Sequence, residues 1–239
     1  MINITNITNF SFNHINQFEK IQNFDHKLIN KDFNIKSEEV SPSQSIGIIS
    51  FLGERKARKI LESEIKTHFA ENGLNNIEEI EPQIKLWLKL KVSKERYKHS
   101  LSAQKTAQKI AAYVGYDEAK AGLAALIHDN AKKISDDDLK KIVKKEDLEI
   151  YSEEKEKPER LHSPVGAFFA ESKLGITDKD VLNAIRFHTI GRKNMTLIEK
   201  IVFLADKTEP YFRKDGLDDK VFEVLKKNGD IDKALDCLN

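Results

Sequence analysis

Residues 117–128, DEAKAGLAALIH, decide the fold class. From Ala121 to Ile127 the run is small or apolar on nearly every side, which marks a helix buried all round rather than one lying on a surface. It runs straight into His128 and Asp129. An ionised aspartate at the end of such a stretch is costly unless it is paired or bound to a metal.

Working outward, residues 94–114 read as an amphipathic helix through Leu101, Ala107, Ile110, Ala111 and Val114, stopped by Gly115. Asp136, Asp137 and Asp138 open a helix over 136–146, where their charge complements the helix dipole. The charged segment 149–160, EIYSEEKEKPER, contains Pro158 and reads as an exposed loop. Helices are predicted over 163–173, 178–188 and 195–207. One or two short ones follow from Asp215, with Val221, Leu225, Ile231, Leu235 and Leu238 packing back.

Upstream, 54–72 places Ala57, Ile60, Leu61, Ile65 and Phe69 on one face, with Gly73 as C-cap. A further helix over 75–91 has Pro82 near its start and Trp87 as a core or interface anchor. Residues 1–44 are rich in Asn, which disfavours helix interiors, and 35–52 carry β-branched residues around a turn at Pro42, so a minor strand is expected near 46–52. The expected fold is all-α: a helical bundle with a small, mostly helical N-terminal extension over 1–90 and the main domain over 91–239.

Composition excludes several classes. Lys and Arg number 40 against 39 Asp and Glu, a net charge of +1, so no global pull toward nucleic acid or an acidic membrane follows. No run approaches the ~18 apolar residues of a membrane span. The N-terminus MINITNITNFSFNH lacks the basic and apolar regions of a secretory signal, and the single Cys237 forms no internal disulfide. A cytoplasmic protein is the expectation.

His99, His128, Asp129, His162, His188 and Asp206 recur in that order at successive helix ends. Each alone has a plain structural alternative. Asp129 could cap the next segment, His188 could stabilise a helix C-terminus, and Asp206 could sit on a solvated face. Together they form a ligand set for one or two transition metals. A bundle can converge such ends on one pocket. Asp129 would then be shared, with His99, His128 and Asp206 on one metal and His162 and His188 on the other.

The stretches RYKHSL (96–101), LIHDNAKK (126–133), LHSPVGA (161–167), AIRFHTIGR (184–192) and FLADKTEP (203–210) closely resemble the HD-domain superfamily of metal-dependent phosphohydrolases. More narrowly they look like its YqeK-type branch, the symmetrical diadenosine tetraphosphate (Ap4A) hydrolases. The similarity covers roughly 94–213. It implies a helical HD domain and a di-metal centre on the six residues named, usually iron, with Mn, Co or Zn admissible. It also implies catalytic roles for Asp129 and Lys132, and a phosphate-binding side of Lys132, Arg186, Thr189, Gly191, Arg192 and Arg213. Asn130 and Lys207 depart from the usual pattern. Segment 41–74 faintly resembles the tail of a nicotinate-nucleotide adenylyltransferase, although that fold's HxGH motif is absent, which would make it a remnant without transferase activity.

The implied reaction is cleavage of Ap4A into two ADP by a hydroxide bridging two metals, which can clamp the oxygens of an in-line displacement. Two other readings stay open: hydrolysis of nucleoside mono- or triphosphates, and a regulatory module that binds nucleotide without turnover. The expected partner is a dinucleoside polyphosphate or other nucleotide, with neither nucleic acid nor membrane. A homodimer is compatible.

Overall fold

Helix α4 (Glu118–Ile127) is the axis about which the other helices are arranged. Asp117 caps it, its side chain accepting from the Lys120 N–H at 2.9 Å. Every residue from Ala121 to Ile127 is buried. The computed structural model describes residues 53–213 and 216–238, and among these it contains helices and no strand. Before α4 come α1 (Glu54–Asn72), α2 (Ile77–Lys89) and α3 (Lys94–Val114). After it come α5 (Asp136–Lys145), α6 (Ser152–Glu156), a 3-10 turn (Pro158–Leu161), α7 (His162–Leu174), α8 (Lys179–Phe187), α9 (Leu197–Thr208), α10 (Leu217–Asn228) and α11 (Ile231–Asp236). Helices α2, α3, α8 and α9 all pack on α4.

The expected helices over 54–72 and 94–114 appear with those bounds, and Gly115 ends α3 in the left-handed conformation at φ 68°. Pro82 lies near the start of α2, in its second turn, as expected. Its ring removes one main-chain bond. The helix is held from outside instead, by Ile77, Ile80, Ile84, Trp87 and Leu88 in the core. Trp87 is a core anchor, fully buried, with its indole N–H on Glu62 Oε1 at 3.1 Å. Residues of α1 and α2 share one continuous apolar cluster with α3, α4, α8 and α9, so a boundary at residue 90 would cut through the core. The strand expected near 46–52, the expected turn around Pro42 and the rest of segment 1–52 lie outside the described residues.

Segment 149–160 is the clearest correction. It is exposed over most of its length, as expected, but it forms α6 and the 3-10 turn rather than a loop, and Glu154 within it is 0% exposed. The reason is an ion pair that charge-rich sequence does not advertise: Arg186 of α8 reaches both Glu154 oxygens, at 2.5 and 2.8 Å. A second apolar cluster of Ala131, Leu139, Val143, Leu161 and Val165 lies beneath, seating α5 and the start of α7. Val221, Leu225 and Ile231 return to the main core as expected. No helix among the described residues is long and apolar enough to cross a membrane.

Candidate metal centre

Three helix ends supply three imidazoles by one local device. The last carbonyls of a helix have no partner within it. His128 follows α4, His162 follows the 3-10 turn and His188 follows α8. Each turns Nδ1 back onto the carbonyl three residues earlier: Ala125 at 2.6 Å, Glu159 at 2.5 Å and Ile185 at 2.7 Å. A carbonyl only accepts, so Nδ1 carries the proton and Nε2 presents its lone pair. His99 lies within α3, where the carbonyls are already used. Its Nδ1 instead meets Oε1 of the buried Glu209 at 2.9 Å.

The four Nε2 atoms converge in pairs: His99 on His128 at 3.1 Å, and His162 on His188 at 3.1 Å. Two lone pairs that close repel unless a cation lies between or beside them. The carboxylates answer the same geometry. Asp129 turns Oδ2 toward His128 (3.3 Å) and His99 (3.5 Å), and Oδ1 toward His162 (3.1 Å) and His188 (3.5 Å). Buried Oδ1 nonetheless accepts no hydrogen bond. Asp206 Oδ1 is 3.2 Å from His99 Nε2 and 3.4 Å from His128 Nε2. The donors thus fall into two sets, His99, His128, Asp129 and Asp206, and Asp129, His162 and His188, with ligand atoms in each set within 4.8 Å of one another. Imidazole nitrogen and carboxylate oxygen suit first-row transition metals, and this set fits a pair of them.

The electrostatics fit a site that wants positive charge. Burial alone would raise the Asp129 carboxyl, but His128, His162 and His188 hold it well below the usual carboxylate range, and His128 and His99 do the same for Asp206. Burial would also depress His128, yet Asp129 and Asp206 raise it to about 10. His188 goes the other way, to about 4, through burial and the neighbouring imidazoles, although Asp129 opposes this.

The residues expected on the phosphate side divide. Lys132 stands at the cluster, Nζ 3.2 Å from His162 Nδ1, its ammonium lowered chiefly by burial. Thr189 Oγ1 is 3.0 Å from His188 Nε2 and bonds Ser163. The structure does not bring Arg186 or Arg192 to the cluster. Arg186 is held by Glu154 and the Glu149 carbonyl, and Arg192 by both oxygens of the buried Glu199. Gly191 turns the chain at φ 65°, and Arg213 is exposed, with its backbone N–H on the Glu209 carbonyl.

Sequence reasoning missed four neighbours. Arg96 donates to Asp129 Oδ2 at 2.6 Å, and its place one turn before His99 on α3 could have revealed it. Glu209 stands three residues beyond Asp206, the same spacing. Lys207, noted only as a departure, bonds Asp206 Oδ2 at 2.6 Å. Phe212, 46% exposed, stacks on His99 with centroids 5.2 Å apart. Asn130, the other departure, ties His128's turn to α7 by donating to the Gly166 carbonyl at 2.9 Å.

The HD domain family matches residues 96–211. The chain is 40% identical over 131 residues to the symmetrical bis(5'-nucleosyl)-tetraphosphatase of Halalkalibacterium halodurans, covering 53% of this chain and 67% of that one. It is 35% identical over 146 residues to a probable nicotinate-nucleotide adenylyltransferase/Ap4A hydrolase of Mycoplasma genitalium, covering 59% of this chain and 41% of that one. A crystal structure from Clostridium acetobutylicum, described as a predicted HD superfamily hydrolase involved in NAD metabolism, superposes with a TM-score of 0.59 at 38% identity, over 64% of this chain and 80% of that one. The chain belongs to the HD-domain family, in its branch of symmetrical bis(5'-nucleosyl)-tetraphosphatases.

Proposed function

We propose that this protein hydrolyses diadenosine tetraphosphate to two ADP at the centre formed by His99, His128, Asp129, His162, His188 and Asp206. The observation that carries the reading is Asp129, whose two oxygens face two different imidazole pairs in a chain of this family. A metal pair bound there supplies a nucleophile at neutral pH and a clamp on phosphoryl oxygens. Iron is the first expectation, with Mn, Co or Zn admissible by donor type.

The chain's own groups do the rest. Glu209 and the three main-chain carbonyls hold every imidazole in the tautomer that offers Nε2. Lys132, Lys207 and Arg96 stand around the cluster, where a tetraphosphate would meet them and where fixed cations stabilise charge as it shifts between bridging oxygens. Phe212 lies over His99, with the Arg96 guanidinium 5.3 Å from its ring, and shields that side from water. The free thiol of Cys237 fits a reducing compartment, the cytoplasm.

The test is Ap4A cleavage and metal content on one preparation, with products resolved against ATP, dNTP and monophosphate substrates. ADP as sole product is expected. ATP plus AMP, or no cleavage by metal-loaded protein, overturns the reading.

A further inference from the structure

A cleft of about 490 Å³ opens among residues 187–195, within the range of about 300–1,000 Å³ that small ligands occupy. Its walls are largely apolar and aromatic: Tyr151, Phe187, Ile190, Met195 and Phe203. Tyr151 is 39% exposed, so its ring is available to a ligand. Phe187 packs 6.1 Å from it, and Arg186 lies 5.1 Å from the Tyr151 ring centroid. Arg192 lies 4.3 Å from the Phe187 centroid while both Glu199 oxygens hold its guanidinium. Arg192 therefore serves the cleft as a flat, neutralised wall, while Arg186 backs the Tyr151 and Phe187 rings. Glu153, Gly191 and Lys193 complete the lining.

Two covalent and contact paths join this cleft to the cluster. Gly191, in its wall, is three residues beyond His188. Phe203, also in its wall, lies 5.0 Å from Lys207 Nζ, which bonds Asp206. A ligand lying here thus has an aromatic bed at one end and a cation, then the metal centre, at the other. That polarity matches a nucleoside followed by its phosphates.

We propose that this cleft seats the nucleoside of one ADP half of the substrate, with the base against Tyr151 and Phe203 and the diphosphate led past Lys207 toward the cluster. The proposal rests on the Ap4A reading and names where that substrate's base is held. The apolar wall recognises a planar base by stacking, which tolerates different bases because every base has a π-face.

ADP and pyrophosphate are titrated calorimetrically into the full-length metal-loaded protein and its Tyr151→Ala and Phe203→Leu variants. Tyr151→Ala should weaken ADP roughly tenfold. Pyrophosphate, which lacks the base, should bind unchanged, and the KM for Ap4A should rise with kcat nearly constant. Phe203→Leu keeps the wall apolar and checks that the loss follows the aromatic face. Unchanged ADP affinity in both variants, or an equal loss for pyrophosphate, overturns the proposal. The ADP titration needs no turnover: Tyr151-dependent ADP binding without Ap4A cleavage would sink the proposed reaction alone, whereas cleavage with Tyr151-independent binding would sink the cleft alone.

Discussion

Helices α8 and α9 carry two kinds of buried charge, and they are finished differently. At the centre, His188 and Asp206 face other imidazoles and carboxylates, and the four Nε2 atoms converge in two pairs. A few residues away, Arg186 and Glu199 close on Glu154 and Arg192 in two-oxygen ion pairs. The first arrangement needs a cation from outside the chain, while the second is complete. The pairing, more than the presence of charge, separates a site from a brace. A buried arginine in a phosphohydrolase is not for that reason a phosphate ligand.

The sharpest way to break this comparison is at Asp129. Asp129→Ala should reduce Ap4A cleavage to background and lower metal content in both halves of the centre, because each half loses an oxygen. Retained turnover in a refolded, metal-supplemented sample would refute the shared-carboxylate reading.

Next in size is the closed pair. Glu154→Ala leaves the Arg186 guanidinium uncompensated in a mostly buried place and should cost about 3–5 kcal/mol in urea denaturation. Replacing both partners, Arg186→Met with Glu154→Leu, should restore most of that loss and leave kcat for Ap4A within a few-fold. A folded double variant with kcat lost a hundredfold would put Arg186 back on the phosphates.

Smaller again is Glu209→Gln. The amide still reaches His99 but no longer carries the charge that makes the imidazole a better ligand. Metal affinity should fall about 10–100-fold in chelator competition with stability little changed. Equal affinity in variant and parent would reduce Glu209 to a packing residue.

The last test concerns a third way of burying charge. Burial, assisted by Arg58 and Lys173 and opposed by Glu62, lowers the Lys91 ammonium to about 7, with Nζ 3.9 Å from the Phe169 ring centroid. Between about pH 7 and the unfolded value near 10.5 the folded state binds fewer protons than the unfolded one, so this group makes stability rise with pH. Below pH 7 both states are protonated and its contribution is flat. Lys91→Met should remove that rise from the difference between the two pH–stability curves, and superimposable slopes would show that the lysine stays charged.

These contrasts also explain what was legible from sequence. The all-α fold could be read because Ala121–Ile127 is apolar all round and because Gly115 and Gly73 end regular patterns. The six converging side chains stood out because imidazoles and carboxylates at the ends of apolar helices need compensation. Glu154 did not stand out: it sits among other acids in EIYSEEKEKPER, and its burial depends on an arginine 32 residues away. Arg96 and Glu209 were visible in principle, each one helical turn from a residue already singled out.

The three imidazoles that lean on peptide oxygen have a consequence for how such a protein can vary. No codon change deletes a main-chain acceptor, so His128, His162 and His188 keep their orientation whatever side chains drift around them. His99 differs in that its Nδ1 acceptor, Glu209, is a side chain. Position 209 is therefore a genetic handle for tuning ionic preference through the basicity of an imidazole.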